Sequence, residues 1–111
     1  MVKKFIPNRG DIVWLNFDPQ FGREIKKTRP ALTISPQKYN DKSGLALFMP
    51  ITSQIKNYPF EIKVDSKEIT GVILCDQVRS LDWRLRKAKF ICSIPDELVI
   101  KSLNIFKLLI N

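Results

Sequence analysis

The sequence predicts a small, mainly β domain, an antiparallel barrel or sandwich, that is closed by one C-terminal helix. Five or six short runs of β-branched, aromatic and aliphatic residues recur along the chain, and turn residues or charges bound each run. The hydrophobic period changes from that of a strand to that of a helix only after Pro95. With 111 residues and 44% apolar content, the chain has the size of one domain, residues 1–111, with an ordinary core.

The first half of the chain contains three predicted strands. Residues 11–17 form a β-branched and aromatic run that is typical of a buried strand. Residues 31–34 form the second strand and residues 45–52 the third, whose Pro50 predicts either an edge strand or the end of a strand. Between these two, we expect residues 38–43 to form a short helical turn or loop.

The second half supplies the remaining strands and the helix. Residues 60–64 alternate apolar and charged side chains, which predicts a strand with one solvated face. Residues 71–75 read as a buried strand and residues 89–93 as a sixth strand. Pro95 suits the first position of a helix, and acidic residues follow it in the first turn, where the helix dipole favours them. Apolar residues then recur at helical spacing as far as Ile110.

Charge and residue types narrow the function. The 19 Lys and Arg against 11 Asp and Glu give a net charge of +8, which favours a nucleic-acid partner over a membrane because no basic amphipathic helix is present. The sequence has no histidine, so catalysis by imidazole is excluded. Cys75 and Cys92 lie in apolar runs without metal-site spacing, and we expect buried free thiols. Without a signal peptide or membrane span in the sequence, a cytoplasmic protein is expected.

Polar residues cluster at the ends of predicted strands. Arg29 precedes a proline that fixes the backbone, Thr52 ends the third strand, and Gln77 follows the buried strand over residues 71–75. A guanidinium and a hydroxyl suit a phosphate, and an amide suits a base edge. Each residue also has a structural alternative: a surface ion pair for Arg29, a turn for Thr52 and a loop cap for Gln77.

The informative signal is the combination of short motifs over nearly the whole chain. These motifs are, in order, Arg9-Gly10-Asp11-Ile12-Val13-Trp14, Asp18-Pro19, Arg29-Pro30, Ser35-Pro36, Pro50-Ile51-Thr52-Ser53, Tyr58-Pro59-Phe60-Glu61, Gly71-Val72, Asp76-Gln77-Val78-Arg79-Ser80 and Pro95-Asp96-Glu97. Together they resemble the MazF/PemK family of toxin endoribonucleases, the toxin halves of bacterial toxin–antitoxin modules, and most of all its MazF branch.

The resemblance implies an SH3-like antiparallel barrel with a C-terminal helix. It implies a homodimer that cuts single-stranded RNA, in particular mRNA, at a short sequence such as ACA, without a metal ion or other cofactor. Arg29 and Thr52 match the family's catalytic residues, and the implied products are a 2′,3′-cyclic phosphate and a 5′-hydroxyl end. A MazE-like acidic antitoxin is the implied partner, which binds along the RNA groove and forms a heterohexamer with the toxin.

Physical chemistry suggests roles for the catalytic residues. The Arg29 guanidinium can pair with two phosphate oxygens and stays charged, so it suits the charge that develops on phosphorus. The Thr52 hydroxyl is a poor base and suits positioning. Glu24, in a long polar loop over residues 18–28, is the candidate base, because partial desolvation raises a glutamate pKa. Its alternatives are RNA contact or loop solvation.

The remaining candidates would bind RNA. Lys56, Arg79 and Arg86, together with Arg84 and Lys87, are expected to line a phosphate track. Phe17 and Phe21, beside the loop, offer rings to unstacked bases, and Gln77 offers hydrogen bonds. Asp18, at the start of the loop, is a further RNA-binding candidate. Alternatively, Phe17 is a core residue like Trp14 and Phe60, and Arg86 lies on a solvated hairpin.

Two other functions remain open at this stage. Small β-barrels often bind nucleic acid without cutting it. CcdB-like toxins share the barrel but inhibit DNA gyrase through a contact of the C-terminal helix. The Arg29 and Thr52 pair distinguishes the nuclease from both alternatives.

Overall fold

A computed structural model describes residues 4–17 and 28–111 of the chain. Within these residues, seven strands and two helices form. The strands are β1 (Asp11–Asn16), β2 (Thr28–Thr33), β3 (Leu45–Thr52), β4 (Glu61–Asp65), β5 (Thr70–Leu74), β6 (Arg79–Asp82) and β7 (Lys89–Ser93). The helices are α1 (Gln37–Ser43) and α2 (Asp96–Ile110).

The strands form one antiparallel sheet that curls into a half-barrel. Its order is β4-β5-β3-β2-β1-β7, and β6 pairs with β3 beside β5. The central strand β3 pairs along one edge with β2 and along the other with β6 and then β5. The predicted mainly β fold with a C-terminal helix is therefore confirmed, and the arrangement is a curled sheet rather than two stacked sheets.

Pro50 lies in the central strand, so the edge-strand alternative is wrong, and it lies two residues before that strand ends at Thr52, close to the other alternative. The sheet tolerates this proline because of its position in the ladder. Ile34 donates its backbone N–H to the Leu47 carbonyl (2.9 Å), and hydrogen-bonded pairs alternate along antiparallel strands, so the Pro50 nitrogen faces away from β2. On that side, residue 50 falls between residues 45–48, which pair with β6, and residues 51–52, which pair with β5.

The sheet is buried on both faces near its centre, because β1, β2 and β3 contribute alternate residues to two cores. The helix-side core, over which α2 packs, contains Ile12, Leu32, Ile34, Met49, Ile51, Val64, Ile73, Cys75, Ile94 and Val99. The opposite core contains Val13, Leu15, Phe17, Ala31, Ala46, Phe48, Leu81 and Trp83. Burial of apolar surface on this scale is the main source of stability.

Three features of the structure differ from the sequence prediction. The sequence did not reveal β6, because Leu81 is its one apolar residue and no alternation is visible. Trp14 was expected in the core but is 39% exposed, since strand alternation turns it away from Val13 and Leu15. Phe60, also expected in the core, is half-buried.

Asn40 ties α1 to distant parts of the chain. Its buried amide donates to the carbonyls of Pro7 (2.8 Å) and Ser35 (3.0 Å), and its amide oxygen accepts from the Ser35 hydroxyl (2.5 Å). The Trp83 indole donates to its backbone carbonyl (2.9 Å). The expected helical turn before Gly44 is thus a short helix anchored by a fully paired polar residue. Neither helix in the described part of the chain is long and apolar enough to cross a membrane.

Candidate active site

Strand register places Arg29 and Thr52 opposite one another. Ala31 pairs with Pro50 in the antiparallel β2–β3 ladder, and continuing this register by two residues brings Arg29 to Thr52. Residues opposite each other in a ladder project from the same face and lie within contact range of long side chains. Two residues that are 23 positions apart in the sequence therefore share one site by the geometry of the sheet.

Two adjacent cavities share Arg29 and Thr52 as lining residues. The first cavity, of about 390 Å³, is otherwise lined by Pro30, Ile51, Ser53, Gln54, Ile69 and Thr70. The second cavity, of about 370 Å³, is otherwise lined by Gln54, Lys56, Tyr58, Phe60, Glu61, Leu74, Asp76 and Gln77. The arginine and the threonine thus stand between two pockets, where a chain-like ligand spanning both would contact them.

The Thr52 side chain is held by its own turn. Its hydroxyl oxygen accepts the backbone N–H of Gln54 (3.1 Å) and donates to no residue in the described ranges. On the other side, β5 passes close to Thr52 at Gly71: a Cβ on this glycine would lie 2.4 Å from the Thr52 carbonyl oxygen. The absence of a side chain at Gly71 therefore allows the close approach that positions Thr52.

The Arg29 side chain is exposed near the start of β2, just before Pro30, where it lines both cavities. Residues 4–17 and 28–111 contain one ion pair, between Arg84 and Asp41 (3.8 Å), and Arg29 does not take part in it. A guanidinium placed between two pockets in this way presents a planar set of donors to an oxyanion.

Residues 53–60 form the outer wall of the second cavity. The Glu61 carboxylate accepts the backbone N–H groups of Lys56 (3.3 Å) and Asn57 (3.0 Å) through one oxygen. Asn57 adopts a positive φ of 60°, and the rings of Tyr58 and Phe60 lie 5.1 Å apart. This segment is irregular but is attached to the first residue of β4 by side-chain hydrogen bonds.

Of the predicted site residues, the structure brings together Arg29, Thr52, Lys56 and Gln77, all of which line the second cavity. Gln77 follows a turn in which its backbone N–H bonds to the Leu74 carbonyl (3.1 Å). The sequence prediction missed Gln54, Tyr58, Glu61 and Thr70. Tyr58 and Glu61 belong to one of the motifs quoted above, whereas no pattern marks Gln54 or Thr70.

Comparison with known proteins agrees with this arrangement. Residues 8–110 match the family model of the PemK-like, MazF-like toxins of type II toxin–antitoxin systems. The chain belongs to this toxin family. The MazF-like toxin is 47% identical over 88 residues to the endoribonuclease toxin MazF of Escherichia coli K12, a match that covers 79% of each chain. It is 38% identical over 109 residues to the endoribonuclease toxin ChpB of the same strain, which covers 93% of each.

A solved structure supports the fold of this MazF-like toxin directly. The MazE–MazF complex of Deinococcus radiodurans superposes with a TM-score of 0.89 at 40% identity, covering 96% of this chain and 97% of the other. The family resemblance predicted from the motifs is therefore confirmed.

Phe17, Arg79 and Arg86 of the MazF-like toxin do not line the two cavities: Phe17 belongs to the opposite core, Arg79 is exposed and Arg86 is half-buried. Phe17 is 9% exposed, and the Arg79 guanidinium lies 5.6 Å from its ring centre, so the ring offers no open face to a base. Arg86 donates to the carbonyls of Asn16 (3.2 Å) and Phe17 (2.6 Å) and so anchors the end of β1. Here the structure favours the core alternative for Phe17. Asp18, Phe21 and Glu24 lie outside the described residues.

The cysteines of the toxin are free thiols, as predicted, with Cys75 buried and Cys92 half-buried. Burial raises the pKa of Cys75 to about 11, with the nearby Asp76 charge adding to this effect and a hydrogen bond to Ser102 opposing it. Burial also raises the pKa of Cys92. Both thiols are therefore protonated near neutral pH and poorly nucleophilic. Among residues 4–17 and 28–111, no group of three or more cysteine and acidic residues could hold a metal ion.

Proposed function

We propose that this MazF-like toxin is an endoribonuclease that cleaves single-stranded RNA, chiefly mRNA in the cytoplasm, at a short sequence and so inhibits translation and growth. The observation that carries the proposal is the Arg29 and Thr52 pair between two adjacent cavities. Nucleotides on either side of a scissile phosphate could occupy the two cavities, which would put that phosphate against the guanidinium and the hydroxyl. The two relatives reported above, MazF and ChpB of Escherichia coli K12, are endoribonuclease toxins.

The proposed reaction uses the ribose as its own nucleophile. The 2′-hydroxyl loses its proton and attacks the adjacent phosphorus, the P–O5′ bond breaks, and the 5′ oxygen takes up a proton. The products are a 2′,3′-cyclic phosphate and a 5′-hydroxyl end. Arg29 stabilises the charge that develops on the phosphate oxygens, and the Thr52 hydroxyl donates to the phosphate and holds the in-line geometry.

Glu24 is the proposed base for the 2′-hydroxyl proton, and it lies outside the described residues. Because the nucleophile is part of the substrate, no metal-bound water has to be generated, and Arg29 supplies the positive charge. We therefore propose that the reaction needs no metal ion. The carboxylate, the guanidinium and the hydroxyl divide the proton transfer and charge stabilisation among them.

Lys56 and Gln77 are the proposed RNA-binding residues of the second cavity. The Lys56 ammonium is a mobile point charge suited to a phosphate, and the Gln77 amide can donate to and accept from one base edge. Arg79, which is exposed, and Asp18, which lies outside the described residues, are proposed to extend this surface. A short recognition sequence such as ACA is the corresponding proposal for specificity.

We further propose an acidic, MazE-like antitoxin as the partner that blocks the cleft. The charge of +8 favours an acidic segment laid along the same groove as RNA, and the similar Deinococcus structure is a MazE–MazF complex. The proposed assembly is a toxin homodimer that forms a heterohexamer with antitoxin. Complex formation that is insensitive to salt and leaves RNA cleavage intact would contradict a shared groove.

The test incubates the purified chain with a long single-stranded RNA in EDTA and sequences the new ends. We expect cleavage at one short motif, with 5′-hydroxyl ends. Arg29→Ala should reduce the rate at least about 100-fold, as loss of a preorganised donor does in other enzymes. Lys101→Ala, which removes an exposed charge from α2, is the control that should cleave normally. No cleavage, or cleavage that EDTA abolishes, contradicts the proposal, and gyrase inhibition without cleavage would favour the CcdB-like alternative.

A further inference from the structure

We propose that Glu61 is a positioning residue that holds Lys56 at the mouth of the second cavity. This inference rests on the proposed RNA cleavage for its functional consequence. Its structural content, the anchoring of residues 53–60 by one carboxylate, rests on the geometry alone.

The carboxylate of Glu61 is committed to the backbone of the wall segment. One of its oxygens accepts N–H groups from two successive residues, Lys56 at 3.3 Å and Asn57 at 3.0 Å. The Glu61 backbone N–H also bonds to the Tyr58 carbonyl (3.1 Å), so the side chain and the main chain of one residue close a compact loop. Hydrogen bonds to an ionised acceptor are stronger than those between neutral groups.

The wall segment needs such an anchor. Residues 53–59 are exposed and belong to no strand or helix, whereas Glu61 is the first residue of β4 and is fixed by the ladder to Leu74 of β5. Asn57 adopts a left-handed φ of 60°, a conformation that is uncommon outside glycine but that asparagine adopts more often than most residues, so the chain reverses direction here. The Glu61 bonds therefore transmit the rigidity of the sheet to Lys56, whose side chain lines the cavity.

The sign of the effect separates positioning from simple electrostatics. A carboxylate in a cleft that binds RNA repels the phosphates, so its removal should tighten binding if charge alone mattered. If Glu61 positions Lys56, its truncation should weaken binding despite the loss of a negative charge. Glu61→Gln keeps an oxygen that can accept both N–H groups but removes the charge, and Glu61→Asp keeps the charge but withdraws the oxygen by one methylene.

The kinetic experiment compares these variants of the full chain on one defined RNA. We expect Glu61→Ala and Glu61→Asp to raise KM about tenfold, the factor that corresponds to one lost charge-assisted hydrogen bond, with kcat changed less than about threefold. Glu61→Gln should keep KM within about threefold of wild type. Lys56→Ala should raise KM similarly, and adding Glu61→Ala to it should raise KM little further. Glu68→Ala, which removes an exposed carboxylate from the β4–β5 turn, is the matched control.

Hydrogen exchange measures the anchoring without any substrate. The backbone amides of Lys56 and Asn57 should exchange about tenfold faster in Glu61→Ala and Glu61→Asp, while amides of β3 and β5 keep their protection. Unchanged exchange of these two amides, or a KM that stays the same or falls in Glu61→Asp, overturns the proposal. If the wild-type chain cuts no RNA, the proposed function fails, and the exchange data still decide whether Glu61 anchors the segment.

Discussion

At the scale of single residues, the structure is consistent with the roles that the sequence suggests for Arg29 and Thr52, and it adds the hydrogen bonding of the Thr52 hydroxyl. Arg29 places a positive charge on the wall of both cavities, and one of the two lone pairs of the Thr52 hydroxyl accepts the backbone N–H of Gln54. Thr52 therefore has a preferred orientation and a proton to donate, which suits positioning and not base catalysis. The thiols of Cys75 and Cys92 have no role in the proposed reaction, because burial raises their pKa values and keeps them protonated near neutral pH.

The buried thiol of Cys75 predicts a loss of stability at alkaline pH. Its pKa in the folded protein is about 11, against an ordinary value of 9.0, so between these values the unfolded chain releases a proton that the folded protein retains. The free energy of unfolding should therefore be unaffected below pH 9 and fall by about 2 kcal/mol as the pH rises to 11. Urea unfolding of wild type and Cys75→Ala at each pH checks this: the difference between their free energies should shrink above pH 9. A constant difference would contradict it.

At the scale of elements, the site depends on how closely β5 approaches β3. Val72 pairs with Thr52, and the preceding Gly71 leaves room for the Thr52 carbonyl. The same junction is where the central strand changes partner from β6 to β5, just after Pro50. The geometry of the proposed site at the end of β3 thus depends on the point where the central strand changes partner.

Gly71→Ala should therefore lower kcat, although it adds only one methyl group. The new Cβ would lie 2.4 Å from the Thr52 carbonyl oxygen, so one of the two strands must shift. We expect kcat to fall at least about tenfold, since displacements of about 1 Å at a reacting centre cost this much or more. Gly44→Ala is the control: its φ of 74° makes alanine strained there, yet no atom lies within 4 Å of the added Cβ. It should lower the melting temperature and leave kcat unchanged, and equal kcat values for both variants would contradict this dependence.

At the scale of the whole molecule, the chain carries a net charge of +8. Within the second cavity, the positive charges of Arg29 and Lys56 stand beside the carboxylates of Glu61 and Asp76. Partner binding should consequently depend on salt through the number of phosphates that are neutralised.

The salt dependence gives a measurable whole-molecule prediction. For an RNA with a 2′-deoxy scissile nucleotide, the logarithm of the binding constant should fall linearly with the logarithm of the salt concentration. Lys56→Ala should reduce the magnitude of this slope by about 0.7, the value for one lost phosphate contact to a single strand. Fluorescence anisotropy between low and moderate salt measures both slopes. Lys101→Ala on α2 should keep the wild-type slope, and a slope unchanged in Lys56→Ala would remove Lys56 from the phosphate path.

The sequence by itself determined the fold class and the strands and helix with a clear period, and its motifs supplied the candidate pair Arg29 and Thr52 through their resemblance to the toxin family. These features are local or are carried by short motifs, so alternation, helix-start residues and motif order suffice to predict them. The helix α2 is the clearest case, because its proline, acidic first turn and apolar stripe are all visible in one segment.

Only the tertiary structure decided which residues contact one another across different elements. The short strand β6 forms because β3 offers an edge, and Arg86 bonds to the Phe17 carbonyl across 69 positions of sequence. Phe17 lies with Val13 and Leu15 in the opposite core, whereas Trp14 points to the other face of β1, where neither core covers it. The Glu61 carboxylate accepts the backbone N–H of Lys56 within an irregular segment, and no hydrophobic periodicity predicts such a contact. Burial and pairing are properties of the assembled sheet, whereas a sequence pattern reports only the preferences of neighbouring residues.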